Sequence, residues 1–335
     1  MISHRHLLML IAIALSHATP ASFPVSRQQE RTTQNSPRTG HAIGAYDATL
    51  GRVVLIGGPG DPREGERDTV WSWTGTQWDV VTTAGPESRV NAAAAYDTRQ
   101  QRVIVVGGSR QDPKASWTVV GDSWASGRAG WERIANITPR DHHALIDDGH
   151  GLLMFGGIPS ERSGPWPSDT SRLQTDKWSA VATDGPPARG RTALAYDSRR
   201  QQVVLFGGVS PPSGADQTQT FLGDTWIWNG ERWRKAAEQG PRGRYAHAMV
   251  FDERAGVVLL YSGAAAHRNA PLTDMWKWDG ERWTEITLTG PTPGYRYQPV
   301  MVYDRARGRT VLYGGIGGST DTWEWDGQRW QLIAP

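Results

Sequence analysis

Apolar runs recur along the chain, and most end in a glycine pair: Gly57-Gly58, Gly107-Gly108, Gly156-Gly157, Gly207-Gly208 and Gly314-Gly315, with Ser262-Gly263 in the same place in the fifth unit. Successive pairs lie about 50 residues apart, the spacing of one supersecondary unit repeated six times. Each unit opens on an arginine and a run of small or apolar residues that closes on Tyr-Asp or its equivalent. Examples run from Pro37-Arg38 to Tyr46-Asp47, from Arg244 to Phe251-Asp252 and from Tyr295-Arg296 to Tyr303-Asp304. The run before each glycine pair, such as Val53-Val54-Leu55-Ile56 or Val103-Ile104-Val105-Val106, is too uniformly apolar for a half-exposed strand. It predicts a strand buried on both faces, the innermost of its sheet. The glycines then permit positive φ and close backbone approach.

After a loop comes Asp-Thr-x-Trp-x-Trp or a relative of it, at residues 68–73, 224–228, 274–278 and 321–325. Alternate residues of a strand share a face, so the paired tryptophans point the same way. Asn229-Gly230, Asp279-Gly280 and Asp326-Gly327 follow, dipeptides suited to a two-residue type I′ hairpin. Trp78, Trp131, Trp178, Trp233, Trp283 and Trp330 then open an outer strand. The third unit departs from the pattern, with Leu173-Gln174-Thr175-Asp176 where the tryptophans and the Asx-Gly turn belong.

The buried strand ending Gly-Gly, then Asp-x-Trp-x-Trp-Asp-Gly, then Trp resembles the kelch repeat, including the variant in the central propeller of galactose oxidase. The resemblance spans residues 37–330 and implies an all-β fold, a six-bladed kelch-type β-propeller with four antiparallel strands per blade. The expected closure places residues 38–47 as the fourth strand of the last blade, beside 309–313, 321–325 and 330–333, so that the N-terminal strand removes the open edge.

The first residues have the order of an export signal: Arg5, the apolar run from Leu7 to Leu15, then small residues around Ser16-His17-Ala18 and Thr19-Pro20-Ala21. The expected organisation is a signal peptide over 1–21, a flexible leader over 22–36 and one propeller over 37–335, in a secreted or periplasmic monomer without a membrane span. The chain has no cysteine. That excludes a disulfide framework and the tyrosine–cysteine crosslink of copper radical oxidases, so no cofactor is expected. A net charge of +2 gives no reason to expect nucleic acid. Four of the 36 basic residues are lysines, Lys114, Lys177, Lys235 and Lys277, and the rest are arginines, suited to carboxylates and aromatic faces.

Alternation of strand direction sorts the loops onto two faces. One carries the short Tyr-Asp turns and hairpins; the other carries the longer stretches that follow the glycine pairs, and any site is expected there. The recurring arginines Arg38, Arg89, Arg140, Arg189, Arg244 and Arg296 enter their strands from that face. They have two readings, bonds to loop carbonyls or a ring of guanidinium groups for a carboxylate or acidic sugar. Trp117 and Trp166 break the repeat, either packing under loops or offering rings to a sugar. His142-His143 lacks a third ligand, so no metal is expected. Asn136-Ile137-Thr138 matches a glycosylation sequon.

No nucleophile elbow, phosphate loop or metalloprotease motif is present. The expected function is a non-catalytic exported module that binds a glycan, an acidic small molecule or a protein. The alternative is a sugar mutarotase or epimerase, since periplasmic sialic acid epimerases resemble this chain in being six-bladed kelch propellers. Its acid and base would come from carboxylates such as Glu64, Asp112, Glu161 and Asp216.

Overall fold

The computed structural model describes residues 37, 41–57, 68–111, 116–214, 216–265, 270–316 and 320–335. Arg38, Glu64, Asp112 and the signal and leader segments lie outside the described residues. Six four-stranded antiparallel sheets form a ring, a β-propeller, and no helix among the described residues is long and apolar enough to cross a membrane.

Each blade is one contiguous repeat. Blade 1 pairs Ile43–Asp47, Arg52–Ile56, Val70–Trp73 and Trp78–Thr82 in chain order. The other five follow the same plan, ending with Val300–Asp304, Arg309–Tyr313, Thr322–Trp325 and Trp330–Ala334 in blade 6. The first strands of the six blades touch one another in a closed circle around the axis. The innermost strand is therefore the one that ends in Tyr-Asp, and the β-branched run is second. Space explains this correction. Six strands converge at the axis and small residues such as Gly44, Ala45, Ala94 and Ala95 fit there, whereas the second strand lies between two neighbouring blades and is apolar on both faces.

The expected closure by an N-terminal fourth strand is also corrected: Ile43–Asp47 pairs with Arg52–Ile56 of its own blade, and blade 6 already holds four strands of its own. The ring closes through side chains instead. Trp71, Trp73 and Trp78 pack with Val311 and Tyr313 across the junction. Trp73 Nε1 donates to Glu324 at 2.7 Å, Trp78 Nε1 to Thr322 Oγ1 at 2.8 Å, and the Tyr313 hydroxyl to the carbonyl of Pro37. The Trp78 bond is the standard inter-blade bond rather than a special clasp. Trp178, Trp233 and Trp283 likewise donate to Ser123, Thr170 and Thr225 of the preceding blade. Trp330 finds Met275 at that place, and its buried indole N–H has no partner.

The hairpins differ from the expectation too. Asn229, Asp279 and Asp326 each cap a four-residue loop with a side-chain oxygen, and only the following glycine has positive φ. The two-residue turn with both residues left-handed occurs in blade 3, at Thr175-Asp176, without a glycine.

Candidate functional site

In the five units whose opening arginine is described, that arginine is a structural fixture. Arg189 is fully buried; its Nη1 donates to the carbonyl of Gly207 at 3.1 Å and to Asp224 at 2.7 Å, and its Nη2 to the other Asp224 oxygen at 3.0 Å. Arg89 with Asp122, Arg244 with Asp274 and Arg296 with Asp321 repeat this arrangement, and Arg140 reaches Gly156 and Asp169 by single bonds. Burial pushes the Asp122, Asp224 and Asp274 carboxyls up, and the bonds from their arginine and tryptophan partners outweigh it, leaving all three below the usual carboxylate value. The next blade is stitched on by backbone. Gly157 N, for instance, donates to the carbonyl of Arg189 at 2.9 Å, and a Cβ at Gly156 would sit 2.4 Å from that oxygen. The recurring arginines thus spend their donors on the protein itself, the first of their two readings.

Two residues beyond each of the five described arginines the chain forms a collar around the axis. Asn91, His142, Arg191, Ala246 and Gln298 all have φ between 53° and 57°. In this left-handed conformation, uncommon outside glycine, their amides run around the ring. His142 N donates to Asn91 O, Arg191 N to His142 O, Ala246 N to Arg191 O and Gln298 N to Ala246 O, at 2.8 to 3.1 Å. The backbone is thereby repeated while the side chains are not. These residues, with His41, line an axial cavity of about 230 Å³ that opens on the long-loop face. Its floor reaches Gly44, Ala94, Met249 and Met301, where small and flexible apolar side chains narrow the axis.

The cavity is polar and asymmetric. Arg191 forms no ion pair among the described residues. Its guanidinium lies over the rings of Tyr245 and Tyr297, 5.5 and 5.9 Å from their centroids, and its buried Nε has no hydrogen-bond partner. Tyr245 is edge-on to Tyr297 and stacked on Phe221. Burial pushes the Tyr297 hydroxyl up to about 12. Next to Arg191 in the collar, His142 Nδ1 meets Asp141 Oδ1 at 2.8 Å, and Ser109 Oγ donates to Asp141 Oδ2 at 2.8 Å. Burial pushes the Asp141 carboxyl up, but these bonds outweigh it and hold the group below the usual range. An ionised carboxylate only accepts, so Nδ1 carries the proton and a neutral His142 leaves Nε2 as a lone pair. Burial lowers the His142 imidazole, and the charges of Arg191 and Arg162 add to that.

His143 and His247, at the next position along the strand, are different. Both are buried, and burial brings each down to about 3; at His247 the charge of Arg244 adds to this and a bond to the Phe206 backbone opposes it. They pack against the first glycines of two pairs, Gly107 and Gly207. Among the described residues no group of three or more His, Asp or Glu side chains converges as metal ligands.

Trp166 lies under the blade 3 loop, packed with Ile158, Val209 and Tyr245, and its indole N–H donates to the carbonyl of Arg162 at 2.9 Å. That bond holds Arg162 at the rim, with Nη2 3.8 Å from Asp141. Trp117 stands half-exposed on the hairpin Ser109–Gln111 and Trp117–Val119. Glu161 and Asp216 are exposed and outside the cavity lining. Sequence reasoning missed Arg191, Asp141 and His142 as a group. The available signal was variation: within the repeat frame, the second position after the arginine changes from Asn to His, Arg, Ala and Gln.

No family model matches the chain. It is 25% identical over 210 residues to acyl-CoA-binding domain-containing protein 4 of Arabidopsis thaliana, over 61% of this chain and 30% of that protein, so the chain spans about a third of that relative's length. Among solved structures, the "Structure of YjhT" matches with a TM-score of 0.67 at 14% identity, covering 89% of this chain and 98% of that one; this likeness is one of fold.

Proposed function

We propose that the chain is an exported kelch-type propeller that binds a small, hydroxyl-rich carboxylate, of the class of acidic sugars, in the axial cavity of its long-loop face. One observation carries the reading: Arg191 is a partly buried cation on the cavity wall, its Nε buried and unbonded, with no carboxylate partner among the described residues, while every described arginine of the repeat frame has one. Buried charges ordinarily come paired. Asn91, Gln298 and His41 line the same wall and supply hydrogen-bonding groups for hydroxyls, and Ala92, Pro299 and Met301 supply apolar surface. Half-exposed Trp117 offers a further ring to a longer glycan. The test is calorimetric titration of the mature chain with glucuronate and neutral glucose, repeated with Arg191→Ala. Glucuronate binding lost in the variant supports the reading; equal binding of both sugars by both proteins sinks it.

A second reading, catalysis of sugar mutarotation or epimerisation, is favoured by the Asp141–His142 pair, a buried carboxylate that orients an imidazole toward acid–base work. This pair replaces the loop carboxylates expected from sequence. If the reading holds, exchange spectroscopy detects faster interconversion of glucuronate anomers with the protein than without it, and His142→Asn abolishes the acceleration.

A further inference from the structure

His142 is enclosed by charge on several sides. Asp141 and Arg162 face it from blade 3, Arg191 from blade 4, and His143 adjoins it in the chain; His41 and His247 stand on other parts of the cavity wall. With neutral imidazoles this corner holds two guanidinium groups against one carboxylate. Asp141 cannot serve an incoming anion, because its oxygens are already bonded to Ser109 and His142 and repel negative charge.

We infer that the anionic group of the ligand seats among Arg162, Arg191 and His142, and that His142 takes up one proton as it binds. The inference rests on the carboxylate-binding reading above and adds what that reading leaves open, the composition of the oxyanion subsite and its coupling to pH.

The argument is one of lone pairs and charge. In the empty cavity His142 donates Nδ1–H to Asp141 and presents Nε2 as an acceptor, which opposes the oxygen of an oxyanion. A second proton on this imidazole is disfavoured first by burial and then by the charges of the two arginines. An anion beside them cancels that repulsion and leaves Nε2 the one group in the corner without a proton to offer. Protonation converts it into a donor, giving a charge-assisted bond in a site shielded from water. Arg162 completes the subsite from the rim. The Trp166 indole fixes its backbone, while its side chain, at 60% exposure, is free to swing onto a ligand.

The sign of the linkage follows. A group whose pKa rises on binding takes up a proton, so affinity increases as pH falls, by at most about tenfold per unit for one proton. Glucuronate, inorganic sulfate and inorganic phosphate separate a sugar carboxylate from a free oxyanion. Titration calorimetry at pH 7 in buffers of unequal ionisation heat measures the protons taken up, and proton NMR of the histidine ring signals identifies the imidazole that titrates. The expected result is uptake approaching one proton with glucuronate, binding several-fold tighter at pH 6 than at pH 8, and loss of the uptake in His142→Asn. Asparagine suits this test because Asn91 already occupies the same left-handed collar position. Tighter binding of sulfate or phosphate than of glucuronate, with the same uptake, assigns the subsite to a free oxyanion. Binding that depends on Arg191 without proton uptake, or uptake that persists in His142→Asn, overturns this inference and leaves the proposed function standing. No binding of any of the three anions overturns both, and the wild-type measurements decide the matter even if the variant does not fold.

Discussion

Arg189 and Arg191 stand two residues apart in one segment and do opposite work. Arg189 is fully buried, bonded to Gly207 and to both oxygens of Asp224, and has counterparts in the other blades. Arg191 has no ion partner among the described residues, lies against two tyrosine rings, and sits where the other blades carry His41, Asn91, His142, Ala246 and Gln298. Six-fold repetition of a residue marks what the ring needs six times over. A position whose backbone repeats while its side chain varies is free to be spent on a ligand. His142, His143 and His247 all border the cavity, and they divide by partner: His142 is held by the Asp141 carboxylate, whereas His143 and His247 have no carboxylate bond and are kept neutral by burial.

The frame should be the part that fails with acid. The folded values of His143 and His247, about 3, lie below the ordinary 6.5, so the unfolded chain protonates first. Their contribution is complete above about pH 6.5 and is lost as pH falls toward 3, at about 1.4 kcal/mol per unit for each imidazole. Asp122, Asp224 and Asp274, held below 3.8, add a further loss only beneath about pH 4. Urea denaturation at pH 7, 5.5 and 4.5 should show a decline beginning well above carboxylate titration. A curve flat down to pH 4.5 would refute the assignment of both histidines as buried and neutral.

Arg189→Ala should cost about 3 kcal/mol, because it strands Asp224 and the Gly207 carbonyl in a buried setting. The change is read from the denaturation midpoint, and a loss below 1 kcal/mol would return the frame arginines to candidacy as ligand contacts. The inter-blade bond is smaller. Thr225→Val removes the acceptor of the Trp283 indole and should cost about 1 kcal/mol, whereas Met275→Thr supplies the acceptor that Trp330 lacks and should offset part of the lost methionine packing. If melting curves show the Thr225 and Met275 variants equally destabilised, the indole bond contributes nothing. The smallest expected change in stability belongs to Arg191→Ala, under about 1 kcal/mol, although glucuronate affinity should fall at least tenfold. A variant that melts far earlier than wild type would place Arg191 in the frame instead.

Much of the frame was legible because it is periodic. Glycine pairs, Tyr-Asp ends and tryptophans marked six units and four strands in each. The faces were legible as well, since antiparallel alternation puts the loops after the glycine pairs on the side where the arginines enter, whichever strand is innermost. The radial order was not legible. Val53-Val54-Leu55-Ile56 reads as buried whether it lines the axis or lies between blades, and only packing distinguishes a channel wall of Gly44 and Ala45 from an outer strand. Closure had the same ambiguity, because a propeller joined by a shared sheet and one joined by Trp73, Trp78 and Glu324 have the same repeats. Of the named site residues, the frame arginines proved bonded within the protein, and Trp166 proved packed beneath its loop.

What the sequence determined alone is local and repeated: strand periodicity, the positive-φ residues after the buried runs of blades 2 to 6, and the small residues of the first strand. The site was decided by tertiary structure. Asn91, His142, Arg191 and Gln298 belong to four different blades, and nothing in their separate segments says that they share one wall. Closing the ring around a space of about 230 Å³ is what leaves Arg191 without a carboxylate among the described residues and sets His142, held by the buried Asp141, on the same wall. A charge unpaired in one segment becomes a site only when five other segments meet it and bring it no partner.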